Sequence, residues 1–390
     1  MKTLKDLDLE NKKVIIRCDF NVPMKDGKIV DDTRIIGALE TINYCLDKHC
    51  KVILLSHLGR VKEEADLAKN DLSPVAKRLS ELLKKDVLFS EKTRGEELEA
   101  VVESMEPGDV LLIQNTRYED LNGKKESGND EELGAYWASL GDVFINDAFG
   151  TIHRAHASNC GIASHLPSAC GFLIERELKA LKELDNPPHP FVVVLGGAKV
   201  ADKIGVIENL ATKADKILIG GGMSFTFLKA QGKEIGKSLL DEENIDFCKK
   251  MLDLYPDKIV LPVDFAVTNE YTDEEEYRVR RVEEFQENEM GLDIGEKTEE
   301  LFENILSTAK IVIWNGPLGV YEFEKYKKNT DKLLKYVVDN NIKTILGGGD
   351  IVAAATNAGY KEKVYHASTG GGATLEYLEG KTLPGIEAIQ

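Results

Sequence analysis

Arg17, Asp19 and Asn21 stand just past the apolar run Val14-Ile15-Ile16, with Arg34 close behind. His57 and Arg60 follow Val52 to Leu55 in the same way. Asn115 and Arg117 follow Val110 to Ile113. Asn146 and Asp147, then His153, Arg154 and His156, follow Val143 to Ile145. An arginine fork bonds two oxygens of a carboxylate or phosphate at once, so four apolar runs ending this way would build a cationic bowl for a small anion.

The second half repeats a different ending. Phe191 to Leu195 leads to Gly196-Gly197-Ala198-Lys199, and Ile217 to Ile219 leads to Gly220-Gly221-Gly222. Ile311 to Trp314 leads to Asn315-Gly316-Pro317, and Thr344 to Leu346 leads to Gly347-Gly348-Gly349-Asp350. A later stretch, Ser368 to Gly372, has the same character. Glycines let backbone approach a ligand closely, and a following helix offers free N–H groups to phosphate. Lys199 and Lys203 are four apart. A helix opening after Gly197 would set both on one face near its positive end, where an anion would relieve them. Asp350 suits a helix N-cap, a residue that helps hold a magnesium-nucleotide, or both.

Each piece alone is weak. A Gly-Gly-Gly is more often a tight turn. His153 and His156 with Asp147 lack the further strong ligand that zinc needs. Gly232 to Ser238 resembles a Walker A loop but is one residue short and follows no strand, so it reads as a helix exit and loop. The force lies in the segregation of basic endings from glycine endings.

These residues need elements to position them. The β-branched runs are continuous rather than alternating, which fits strands covered on both faces, as in parallel sheets. Further strands read at Lys216 to Ile219 and Ile259 to Leu261. Ile35, Leu39, Ile42 and Leu46 recur at helical spacing, and Ser73-Pro74 reads as a helix start with Ser73 as the cap. Phe172 to Leu184 reads as one helix, broken by the proline-rich stretch from Asp185 to Pro190. The acidic run Asp273 to Glu276 reads as a solvated turn. The fold class is α/β, with two doubly wound parallel-sheet (Rossmann-like) domains joined by a helical hinge. Ligands then sit outside the carboxyl ends of the strands, where the basic and glycine-rich endings fall.

The chain has 390 residues, enough for two cores, and its 42% hydrophobic and 30% charged residues exclude wholesale disorder. A net charge of −18 argues against nucleic acid as a partner. The six cysteines show no C-x-x-C pair, which reads as reduced thiols in the cytoplasm. No signal peptide or membrane-length apolar run is seen.

Taken in order, Arg17 to Pro23 continuing to Arg34, Ser56 to Arg60, Gly150 to His156, Gly196 to Lys199, Trp314 to Pro317 and Gly347 to Asp350 resemble the signatures of the phosphoglycerate kinase family over nearly the whole chain. The resemblance implies reversible glycolytic transfer between ATP and 3-phosphoglycerate, giving ADP and 1,3-bisphosphoglycerate, with Mg2+, by a cytoplasmic monomer that closes about a hinge. It implies that Asp19, Asn21, Arg34, His57, Arg60, Arg117 and Arg154 bind phosphoglycerate. Gly197, Lys199, Lys203, Gly221, Asn315, Glu322, Gly348, Gly349 and Asp350 would hold the nucleotide, with Glu322 on the ribose and Asp350 on the metal. Arg34, Lys199 and Lys203 would be catalytic. Residues 1–170 with about 375–390 would form the phosphoglycerate domain, 171–188 the interdomain helix and hinge, and 189–374 the nucleotide domain.

Two positions depart from the family. Ile351 stands where Ser or Thr is usual, which leads one to expect nucleotide binding weakened about ten- to a hundredfold by a lost hydroxyl–phosphate bond. Gln114 replaces a usual Glu. A non-catalytic regulatory relic is the main rival, and Ile351 is its specific support. A dinucleotide-dependent dehydrogenase would need a G-x-G-x-x-G fingerprint, which Val14 to Arg34 lacks.

Overall fold

The structure is a computed structural model and describes residues 2–389. The chain divides into two compact units, Met1–Leu178 with Thr382–Gln390, and Lys179–Lys381.

The first unit is built on a six-stranded parallel sheet. Its spatial order is Val87–Ser90, Val110–Ile113, Lys51–Leu55, Lys13–Arg17, Val143–Asn146, Ser168–Cys170. The four middle strands are buried almost throughout, as their unbroken apolar runs require. One core lies on each face of this sheet. Ile16 and Leu54 belong to one, and Ile15, Ile53 and Trp137 to the other. The order of strands reverses between Lys13–Arg17 and Val143–Asn146, so a ligand crevice is expected past Arg17 and Asn146.

The second unit repeats the plan with the order Ile259–Val260, Lys216–Ile219, Phe191–Leu195, Ile311–Asn315, Thr344–Leu346, His366–Ala367, again all parallel. Here the reversal falls between Phe191–Leu195 and Ile311–Asn315, which places Gly196 and Asn315 at the crevice. All nine apolar runs form strands. The strands not foreseen in the two large sheets are short and sit at edges: Val87–Ser90, Ser168–Cys170 and His366–Ala367. The second unit also carries a three-stranded antiparallel sheet of Arg278–Arg281, Asp264–Thr268 and Met290–Ile294 that the sequence reading missed.

Several local expectations need correction. The helix Ser73–Leu83 has Leu72 at its N-cap, and the Ser73 hydroxyl bonds Asp71 instead of capping. The helix after Gly171 spans Phe172–Lys182, two residues short of Leu184. Val200–Lys203 is a 3-10 turn and the α-helix Ile204–Ala211 begins only after it, so Lys199 and Lys203 do not share an α-helical face. The run Asp273 to Glu276 is a turn, but Glu275 accepts the N–H groups of Asn269 and Glu270, and Asp273 those of Glu324 and Lys325. Its charge braces a loop as well as facing water.

Thr382 onward belongs to the first unit. Gly385 N–H donates to the Ile152 carbonyl at 2.8 Å. The helix Gly372–Leu378 stays with the second unit, where the Leu378 carbonyl accepts from Asn209. Among the described residues no helix is long and apolar enough to cross a membrane.

Candidate active site

In the first unit the polar endings converge. Arg34 lies in the first turn of the helix Thr33–Asp47, and its guanidinium pairs with Asp19. Asp19 also accepts the Asn21 N–H, and the Asn21 side chain accepts the Gly59 N–H at 2.8 Å. This ties the first loop to the loop carrying His57. Asn115 accepts from Leu58 N–H and Arg117 N–H and donates to the Leu58 and Asn70 carbonyls, so one buried amide fixes two loops. Arg117 pairs with Asp120 at 3.0 Å. Arg154 Nε contacts His153 Nε2 at 3.1 Å.

Burial first, then the charges of Arg17, Arg117, Arg34 and Arg154, hold the His57 imidazole well below its ordinary range. Burial, then Arg117, Arg17, His57 and Arg154, push His156 down to about 2. The structure thus brings Asp19, Asn21, Arg34, His57, Arg117 and Arg154 together. Arg60 does not join by contact: its side chain is exposed and, among the described residues, makes no hydrogen bond or ion pair. Asp147 turns to the helix Phe172–Lys182, accepting the Leu173 and Ile174 N–H groups. Among the described residues no group of three or more His, Cys, Asp or Glu could hold a metal ion.

Two neutral buried histidines set a pH dependence. In the unfolded chain each titrates near 6.5. Their folded values lie below that, so as pH falls through about 6.5 the unfolded chain takes up protons that the folded protein refuses. Stability is then lost at up to about 1.4 kcal/mol per pH unit for each histidine. Urea melts at acidic and neutral pH should show a smaller stability gap in the His57→Gln/His156→Gln double variant. An unchanged gap would show that these rings do not carry the effect.

The second unit holds a cavity of about 800 Å³, ample for a nucleotide. Gly197, Gly221, Glu322 and Asp350 line it, with Phe225, Leu292 and Met290 on apolar wall. Lys203 donates to the Asn315 side-chain oxygen, and Asn315 donates to the Gly347 carbonyl. A Cβ on Gly348, whose φ is +120°, would stand 2.7 Å from the Asn315 amide nitrogen, so only glycine suits this approach. Burial lowers the Lys203 ammonium from its ordinary value, and Asp202, Asp350 and Glu379 oppose that. Lys203, Asn315 and Gly348 therefore adjoin the cavity wall through Gly197 and Asp350. Lys199 is exposed and follows Ala198, which lines the wall. Gly349 is exposed at the start of the helix Gly349–Asn357, whose N-cap is Gly348. Asp350 is not the cap; it sits in the first turn, where the helix end favours negative charge.

A family model described as phosphoglycerate kinase matches residues 4–381. The chain belongs to the phosphoglycerate kinase family. Two phosphoglycerate kinases, from Macrococcus caseolyticus and Fusobacterium nucleatum, are each 57% identical to it. Both matches cover 100% of this chain, with 98% and 99% of the relatives. Solved phosphoglycerate kinase structures agree. That from Coxiella burnetii has a TM-score of 0.91 at 39% identity, covering 99% of this chain and 98% of its own. That from Pyrococcus horikoshii OT3 has a TM-score of 0.86 at 33% identity, covering 100% and 98%. As a member of this phosphoglycerate kinase family the chain is a kinase, an enzyme of glycolytic phosphoryl transfer.

The two departures from the family now have structural accounts. The Ile351 side chain is fully buried in the core with Val192, Val194 and Trp314. A hydroxyl there would face apolar neighbours, so the expected loss of a phosphate contact has no footing, and neither does the regulatory rival that leaned on it. Gln114 is buried, donates to Asp71 at 2.7 Å and accepts the Leu72 and Asn115 N–H groups. A glutamate at 114 would press a second carboxylate onto Asp71, so here the amide is the fitting residue.

Sequence reasoning missed Glu126 and Ser158, which lie buried behind His57. Nothing in the polar stretch Lys124 to Asn129 separates Glu126 from an ordinary solvated charge.

Proposed function

We propose that the first unit binds 3-phosphoglycerate or 1,3-bisphosphoglycerate through Asp19, Asn21, Arg34, His57, Arg60, Arg117 and Arg154, and that the second binds ATP or ADP. The observation that carries this reading is the buried His57 set 3.2 Å from Arg17, with Arg34, Arg117 and Arg154 also acting on it. Such a concentration of cations in an acidic chain is relieved by a multiply charged anion.

The acceptor carboxylate is ionised at neutral pH, so no general base is needed. The task is to align two anions and neutralise charge on the moving group. Arg34 and Lys199 contact the transferred phosphoryl group, with Lys203 in support. Gly197, Gly221, Gly348 and Gly349 bring backbone close to the nucleotide phosphates, Asn315 orients Lys203, and Glu322 takes the ribose. Asp350 fits as the residue that would hold magnesium, because an exposed carboxylate beside the nucleotide phosphates is how that ion is commonly held; when bound it would neutralise phosphate oxygens. With the two substrates held by different units, transfer is in line and follows closure about the hinge near 171–188, which excludes water. The first and second units correspond to the phosphoglycerate and nucleotide domains. One chain supplies every site residue, which supports action as a monomer. Six cysteines outside any disulfide, five of them buried, suit a reducing cytoplasm.

The test is turnover of ATP, magnesium and 3-phosphoglycerate coupled to NADH oxidation by a dehydrogenase. Lys199→Ala should lower kcat about a hundredfold or more, and ATP but not NAD should raise the melting temperature. Absence of turnover by the unmodified chain would sink the proposal.

A further inference from the structure

Behind His57 lies a buried chain of polar groups. His57 Nδ1 stands 3.2 Å from Arg17 Nη2. A guanidinium has five N–H donors and no acceptor. The ring nitrogen facing it must therefore accept, which places the imidazole proton on Nε2. Arg17 is itself held: Nε donates to Ser158 Oγ at 2.8 Å, and Nη1 to the Cys18 carbonyl. The Ser158 hydroxyl has one proton and gives it to Glu126 Oε1 at 2.5 Å, leaving its lone pairs for Arg17. The Ser158 N–H donates to Glu126 Oε2 at 2.9 Å. The side chains of Arg17 and Glu126 are both 0% exposed, with Nη2 and Oε1 3.9 Å apart.

We propose that Glu126, Ser158 and Arg17 are positioning residues that fix His57 as a neutral Nε2–H donor, so that the acceptor site offers the same donor with the same charge through the acidic and neutral range. This rests on reading His57 as an acceptor-binding residue. Glu126 sets the direction of the Ser158 hydroxyl, Ser158 sets the rotation of Arg17, and Arg17 sets the tautomer. The charged and titratable groups around the ring act in the same sense. Arg17, Arg34, Arg117, Arg154 and His156 face it, while the acids Asp19, Asp120 and Glu126 are engaged with Arg34, Arg117 and Ser158 respectively. Protonating His57 would break the Arg17 contact and add a fifth cation to four arginines. A ring free to titrate would instead let acceptor affinity swing with pH.

Nitrogen NMR of the full chain, labelled at histidine, reads the tautomer directly. In the unmodified protein His57 should show a single Nε2–H tautomer that does not titrate between about pH 5 and about pH 8. Ser158→Ala should give mixed tautomers, with KM for 3-phosphoglycerate raised about tenfold and kcat little changed. Ser158→Thr, which keeps the hydroxyl, should restore both. A proton on Nδ1, a titrating ring in the unmodified protein, or a Ser158→Ala variant with the unmodified tautomer would each overturn the proposal. A locked ring whose removal in His57→Ala leaves KM for 3-phosphoglycerate unchanged would support the lock and overturn the acceptor-site reading.

Discussion

Replacing Arg34 by alanine is expected to lower kcat/KM for 3-phosphoglycerate by about a thousandfold or more, the scale on which arginines contacting a transferred phosphoryl group act. Arg34 stands in the first turn of its helix with its side chain 39% exposed, paired with an Asp19 that is only 11% exposed. The arginine is thus pre-aimed by Asp19, yet part of its side chain reaches solvent, where an anion can meet it. Arg34→Lys keeps the charge but loses the planar fork, so it should recover only part of the activity. Because Arg34 is partly exposed, the melting temperature should stay close to that of the unmodified chain. Steady-state kinetics with both substrates varied, beside a thermal melt, separates the outcomes. A kcat/KM within about threefold of the unmodified enzyme would remove Arg34 from the chemistry.

The second large effect concerns Gly196. It is buried, and its N–H donates to the Asn315 carbonyl at 2.9 Å. A Cβ there would fall on the Pro317 carbonyl oxygen and lie 2.8 Å from that of Gly316. Both obstacles are backbone, so they cannot rotate away. Gly196→Ala must therefore part the ends of the two central strands, at a cost of about 3 kcal/mol or more. For a unit of this size that lowers the melting temperature by about 6–12 °C. The cavity lies beside this junction, so ATP should also cease to raise the melting temperature. Gly232→Ala is the control: its φ is +78°, but nothing lies within 4 Å of the added carbon. It should cost about 1 kcal/mol of backbone strain and leave ATP binding intact. Equal melts for the two variants would show that the close approach at Gly196 is not tight.

The sequence made the doubly wound plan legible because long β-branched runs are buried on both faces, and burial on both faces leaves an unbroken apolar pattern. It hid the antiparallel sheet, whose strand Arg278–Arg281 alternates between partly covered arginines and exposed residues and so reads as loop. The basic and glycine-rich endings were visible because each follows directly on such a run. Lys203 was legible as a residue but not as geometry, since a 3-10 turn and an α-helix begin with the same letters. Ile351 misled because position in a motif does not reveal which way a side chain turns; the core took it. Glu126 and Ser158 stayed hidden because a buried polar group looks like a surface one until its partners, far away in sequence, are known.

The tail from Thr382 onward completes the first unit, with Ile389 buried and Gly385 bonded to Ile152. During synthesis this sets the two units apart. Residues of the first unit emerge earliest but wait for a segment translated after Lys381, whereas the second unit is contiguous and needs no residue from outside its own span. A released chain ending before Thr382 would hold all of the second unit but only part of the first.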